Sequence, residues 1–227
     1  MPGPRQDDVP GVGRLRVQLV AGGLDLGTHD AEHVHVEVLE VSGNPLELTQ
    51  DGDALTIGYP FLGWDGWWKR LMSYRSRDRA RLRVRVPRHV RVSVGTAVAE
   101  VTAAGLQEDV ALATAGARLT LTGSRGAADL KTASGPVEVT DHDGPVRVSS
   151  ASGRVHVDGA VPRVEVMTAA GAVTVRTTTP TSVVDLSTVS GAMTVRLPHG
   201  TGVSLTARTV TGAVRLDGAD RRTAAPG

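Results

Sequence analysis

"KTASGPVEV" at residues 131–139 returns as "SSASGRVHV" at 149–157, "MTAAGAVTV" at 167–175, "STVSGAMTV" at 187–195 and "RTVTGAVRL" at 208–216. The glycines of these copies, with one earlier member, are Gly116, Gly135, Gly153, Gly171, Gly191 and Gly212, spaced 19, 18, 18, 20 and 21 residues apart. A near-constant period of this length is the signature of a stacked repeat.

Within each copy the pattern has period two. After the glycine, Val137 and Val139, Val155 and Val157, Val173 and Val175, Met193 and Val195, and Val214 and Leu216 alternate with polar or small residues. Before it, sets such as Val146/Val148/Ser150 and Val164/Val166/Thr168 alternate in the same way. Successive side chains of a strand point to opposite faces, so this pattern specifies half-buried strands rich in β-branched residues. A small-residue–Gly corner, with glycine free to take positive φ, turns the chain between the two strands. Two short strands and two turns per 18–21 residues make one coil of a single-stranded, all-β solenoid. The Thr/Ser column three residues before each glycine reads as a structural ladder along one edge.

The first half carries looser strands, expected at Arg14–Val20, His33–Val41, Pro45–Leu48 and Ala54–Gly58. The expected organisation is a disordered tail at 1–13, a looser β region at 14–94, solenoid repeats at 95–216 and a disordered tail at 217–227. The repeat, the lead-in "VRVPRHVRVSVGTAVAEVTAAG" (84–105) and the closing "LPHGTGVSLTARTVTGAVRLDG" (197–218) resemble the bacterial β-strand-repeat family labelled "putative adhesin". That family is a domain of unknown function, common in actinobacteria and also found in envelope-stress loci. The resemblance covers about residues 14–216. It implies the solenoid fold and brings no catalytic residues with it.

Composition narrows the function classes. There are no cysteines, which excludes thiolate catalysis and Cys-ligated zinc. No apolar run of signal-peptide or membrane-spanning length occurs, so the sequence reads as cytoplasmic. No G-x-S-x-G, H-E-x-x-H, P-loop or G-x-G-x-x-G motif is present, and the acids are scattered at turns, so the chain reads as a non-enzyme without a cofactor. A polysaccharide hydrolase or lyase is the remaining enzyme reading. His33, His35 and Glu37 share one strand face and form a weak metal candidate, with a solvated face the favoured reading. "DHDG" at 141–144 reads as an Asp–Gly turn.

One stretch breaks the valine monotony. Every Phe, Trp and Tyr lies between residues 59 and 74, within an insertion expected at about 59–79. Its candidate contact residues are Tyr59, Phe61, Trp64, Trp67, Trp68, Lys69, Arg70, Tyr74, Arg75 and Arg77. Residues 59–91 hold ten cations against two acids, a net of +8, which leaves −7 for the rest of a chain whose formal charge is +1. The arginines of "ARLRVRVP" alternate with Leu82, Val84 and Val86 and are the outward face of an amphipathic strand. The insertion itself admits three roles. It caps the solenoid mouth, whose edges and core need cover. It binds a protein partner or a second copy, since Trp, Tyr and Arg dominate interface hot spots. Or it rests on an anionic membrane surface at the cytoplasmic leaflet, where the family resemblance points to envelope stress. The acidic remainder and the lack of a nucleic-acid motif argue against nucleic acid.

Overall fold

The computed structural model describes residues 5–59, 78–179, 182–197 and 203–217. In chain order the N-terminal strands are β1 (Arg5–Pro10), β2 (Arg14–His29), β3 (His33–Ser42), β4 (Glu47–Asp51), β5 (Ala54–Gly58), β6 (Arg79–Pro87) and β7 (Arg91–Ala104). Six two-strand coils follow. They are β8 (Val110–Thr114) with β9 (Leu119–Thr122), β10 (Ala128–Thr132) with β11 (Val137–Asp143), and β12 (Val146–Ser152) with β13 (Val155–Ala160). Then come β14 (Arg163–Ala170) with β15 (Val173–Thr177), β16 (Ser182–Ser190) with β17 (Met193–Arg196), and β18 (Val203–Thr211) with β19 (Val214–Asp217).

The first strands of successive coils pair in parallel, as in Val148 opposite Val166 and Val166 opposite Leu186, and so do the second strands, as in Val157 opposite Val175. Two parallel ladders therefore face each other across one core. Val148, Val157, Val166, Val175, Leu186 and Val195 in that core are fully buried. Each coil hides its valines only because the neighbouring coils extend the two sheets above and below it. The Thr/Ser column turns inward, and several of its hydroxyls bond the corner backbone. Thr132 Oγ1 accepts the Gly135 amide at 2.9 Å, and Thr114 and Thr168 donate to the carbonyls of Ala97 and Ala170.

Glycine at the corner is required where coils touch. Gly153, Gly171, Gly191 and Gly212 have positive φ, and a Cβ on Gly191 would lie 2.0 Å from the Gly171 carbonyl oxygen. Gly116 departs from this: its φ is not positive and an added Cβ there meets only ordinary contacts.

The N-terminal region is more regular than the sequence implied. β2 does not stop at Val20. It turns the corner and pairs in parallel with the whole of β7, from Arg14 opposite Arg91 to Gly27 opposite Ala104. On its other side it pairs in parallel with β5 and then β6. β2, β7 and the β5/β6 pair are thus coils of the same stack, and the boundary expected at residues 94/95 cuts through β7. β2 lies between the β5/β6 coil and β7, so the chain enters the stack in its interior. The β5/β6 coil is covered by antiparallel strands, β4 on β5 and β3 on β6. Residues 5–10, expected to be part of a disordered tail, form β1 and pair antiparallel with β3, because Val9 packs against the core and Asp8 meets the β3 histidines.

Candidate functional site

The aromatic–basic insertion arises at a corner of the stack. In β2 the step from Val17 to Ala21 takes three residues, Gln18, Leu19 and Val20. In the next coil Val17 is paired with Ile57 and Ala21 with Arg79, so the described ends of the insertion lie at the same corner, on the coil that β3 and β4 cover.

Both feet of this corner are fixed by burial. Tyr59 is 3% exposed, and burial, with the Asp78 charge nearby, pushes its hydroxyl up to about 12. Tyr59 is therefore a buried anchor and not the surface contact that its composition suggested. Asp78 is 2% exposed. Its Oδ1 accepts the Asn44 backbone amide at 2.7 Å, and both carboxylate oxygens lie 3.2 Å from Asn44 Nδ2. Asn44 lies between β3 and β4, so the foot of the corner is tied to the cover of the stack. Phe61, Trp64, Trp67, Trp68, Lys69, Arg70, Tyr74, Arg75 and Arg77 lie outside the described residues.

The arginines of β6, with Arg88 just after it, divide into two groups. Arg83 bonds Glu37 at 3.0 Å and lies 3.5 Å from Asp25, Arg85 bonds Asp25 at 3.1 Å, and Arg88 pairs with Asp30 at 2.8 Å. Asp25 is held below the usual carboxylate range, chiefly by the Arg85 bond. Arg79 and Arg81, nearest the insertion, are exposed and pair with no carboxylate among the described residues.

The histidine face is arranged as an edge clasp. Asp8 of β1 lies 2.6 Å from His35 Nδ1 and 3.4 Å from His33 Nε2, while Glu37 is turned to Arg83. The hydrogen bond from His35 keeps the Asp8 carboxyl below its ordinary value. His33, His35 and Glu37 share a face as expected but do not converge, and no cluster of three metal-ligating side chains occurs among the described residues.

An open trough of about 680 Å³ runs along the outside of the first sheet, floored by a row not anticipated from sequence. Its register is Arg16, Ser93, Ala111, Asp129, Arg147, Glu165, one residue per coil. Each acid in the trough is engaged. Arg147 donates to both Glu165 oxygens at 2.9 and 2.8 Å, Asp129 holds Lys131 at 2.8 Å, and Asp109 accepts the Ala127 amide at 2.9 Å. With Arg147 standing between Asp129 and Glu165, this is a cross-strand charge ladder and not a general acid–base pair. The repeat alignment contains the signal for it, one outward position per coil.

No family model matches the chain, and no curated protein matches it in sequence. Solved structures do. One described as a "putative adhesin" from Bacteroides fragilis NCTC 9343 is 12% identical, with 94% of this chain and 95% of that one covered at a TM-score of 0.50. Another so described, from Parabacteroides distasonis ATCC 8503, is 14% identical over 94% and 95% of the two chains, with a TM-score of 0.49. A third, from the same species and described as a "putative lipid binding protein", is 12% identical over 96% and 95%, with a TM-score of 0.39. The likeness to the Bacteroides fragilis structure is one of fold.

Proposed function

We propose that this chain is a non-enzymatic β-solenoid scaffold that binds a protein partner through the Trp/Arg-rich insertion at about 59–79, on the cytoplasmic side. The observation that carries this reading is the register at the corner. Three residues separate Val17 from Ala21 in β2, whereas twenty-one separate their partners Ile57 and Arg79, and the two described ends of that stretch, Tyr59 and Asp78, are buried. The strand edges of that coil already have partners in β4 and β3, which weakens the case for the insertion as an edge cap. A segment holding all three tryptophans of the chain, next to Arg79 and Arg81 that pair with no carboxylate among the described residues, has the composition of an interface anchor.

The test is affinity capture from cells with wild-type and Trp64/Trp67/Trp68→Ala protein, followed by titration of the purified captured protein. A partner that binds wild type and loses affinity for the variant, with the circular dichroism of the solenoid unchanged, supports the reading. A partner bound equally by both overturns it. Arg79 and Arg81 also favour a second reading, a peripheral protein on an anionic membrane surface. Co-sedimentation with phosphatidylserine vesicles at low salt, lost in the same variant, is the outcome that reading requires.

A further inference from the structure

The two ends of the stack are treated differently. At one end the chain covers its own coil with antiparallel strands. At the other, β18 and β19 have a parallel partner on one side only, and no strand pairs with the far edge of either among the described residues. Core positions reappear there in the open. Met193 and Val195 are 1% and 0% exposed, but their successors Val214 and Leu216 are 43% exposed each. Of the seven large apolar side chains that are strongly exposed among the described residues, six lie between Met167 and Leu216. The inward positions of the last coil are Leu205, Ala207, Thr209, Val214 and Leu216. None is charged and none is proline, so the edge carries no inward device against pairing.

We infer that two copies of this chain dock end to end through β18 and β19. A second copy fits this edge because the edge is complementary to itself. Two identical edges related by a two-fold axis pair antiparallel, and one axis must suit both sheets. It does. Ala207 is the middle residue of β18, four residues before Thr211, and Leu216 lies four residues after Gly212. The two are equidistant from the corner on opposite sheets and succeed Leu186 and Val195, which are both in the core. An axis through Ala207 and Leu216 sets Val203 opposite the second copy's Thr211, so the full nine-residue strand is used. The same axis sets Arg215 opposite the second copy's Asp217, a complementary charge pair formed twice. The arrangement repeats what the molecule does at its other end, where antiparallel strands complete a parallel coil. It is independent of the insertion.

The experiment uses the full chain in a concentration series by size-exclusion chromatography with light scattering. Wild type is expected to move from monomer to dimer as concentration rises. Leu216→Arg and, on the other sheet, Ala207→Arg each raise the dimer dissociation constant roughly tenfold or more, because each buries a charge on the axis. The chain has no cysteine, so single-cysteine variants report the register directly. Leu216→Cys and Ala207→Cys lie on the axis and form oxidised dimers, whereas Leu205→Cys, on the same inward face but off the axis, does not. Trp64/Trp67/Trp68→Ala dimerises as wild type does. A chain that stays monomeric throughout overturns the inference. So does a dimer that survives Leu216→Arg and is lost in the tryptophan variant, or oxidised dimers that form as readily from Leu205→Cys.

Discussion

The Asp78 carboxylate accepts the Asn44 backbone amide at 2.7 Å and lies 3.2 Å from its side-chain amide, tying the start of β6 to the turn between β3 and β4. Asp78 is almost fully buried while Asn44 is exposed, so removing the acceptor takes away charge-assisted hydrogen bonds from both Asn44 donors at the edge of the buried region. Asp78→Ala is expected to destabilise the fold by about 1–3 kcal/mol, read from the urea midpoint by circular dichroism. Asp78→Asn keeps a carbonyl acceptor and should lose less. Equal losses in the two would show that this acceptor is not what anchors the corner.

The corner glycines make a second, steric prediction. Gly191 combines a φ of 146° with a Cβ position 2.0 Å from the Gly171 carbonyl oxygen. Gly191→Ala forces neighbouring coils apart and should cost upwards of about 2 kcal/mol. Gly52 is the control. Its φ is 57° but nothing lies within 4 Å of an added Cβ, so Gly52→Ala carries only the left-handed backbone penalty of roughly 1–2 kcal/mol.

The repeats were legible because every coil states its case locally. Val–x–Val alternation gives the faces, and the small-residue–Gly pair gives the corner. The place of β2 was not legible. Its partners are Ala80 and its neighbours on one side and β7 on the other, and no local pattern records a parallel pairing across some sixty residues. The strand expected at Arg14–Val20 runs on through Gly22 to His29. Gly22 has a φ of 117° and sits so close to β6 that a Cβ would lie 1.9 Å from the Ala80 carbonyl oxygen. At the candidate site, composition located the insertion, but Tyr59 and Asp78 resembled the rest of an aromatic and charged run. Asp78 is held by Asn44, which lies between β3 and β4 and comes from more than thirty residues earlier in the chain.

The two-sheet core makes a third prediction. Leu186 is fully buried between the ladders of β14 and β18, in an interior built mainly of valine with few large side chains to relax into a gap. Leu186→Ala should cost about 2–5 kcal/mol through lost transfer energy and the cavity it leaves. Val183, three residues earlier on the same strand, is 41% exposed, and Val183→Ala should change stability by no more than about 0.5 kcal/mol. Chemical denaturation of the two variants separates core filling from strand propensity.

His142 gives the fold a pH dependence of definite sign. The ring is fully buried at a coil corner, with Ser124 Oγ 2.9 Å from Nδ1 and no hydrogen-bond partner at Nε2 among the described residues. Burial holds its pKa below the ordinary 6.5, outweighing the backbone of Pro145, Gly126 and Ser124 and the Asp143 charge, all of which favour the protonated ring. A histidine with a lowered folded pKa binds fewer protons in the native chain than in the unfolded one, so stability rises with pH between the two values. The contribution is complete above about pH 6.5 and is lost as pH falls through the folded value. The expected result is a urea midpoint that drops as buffers go from pH 7 toward 5. In His142→Asn the midpoint is lower at pH 7 and this part of the slope is absent. The other six histidines remain in both proteins, so the difference between the two profiles isolates His142. Parallel profiles would mean that the buried ring does not titrate in this window.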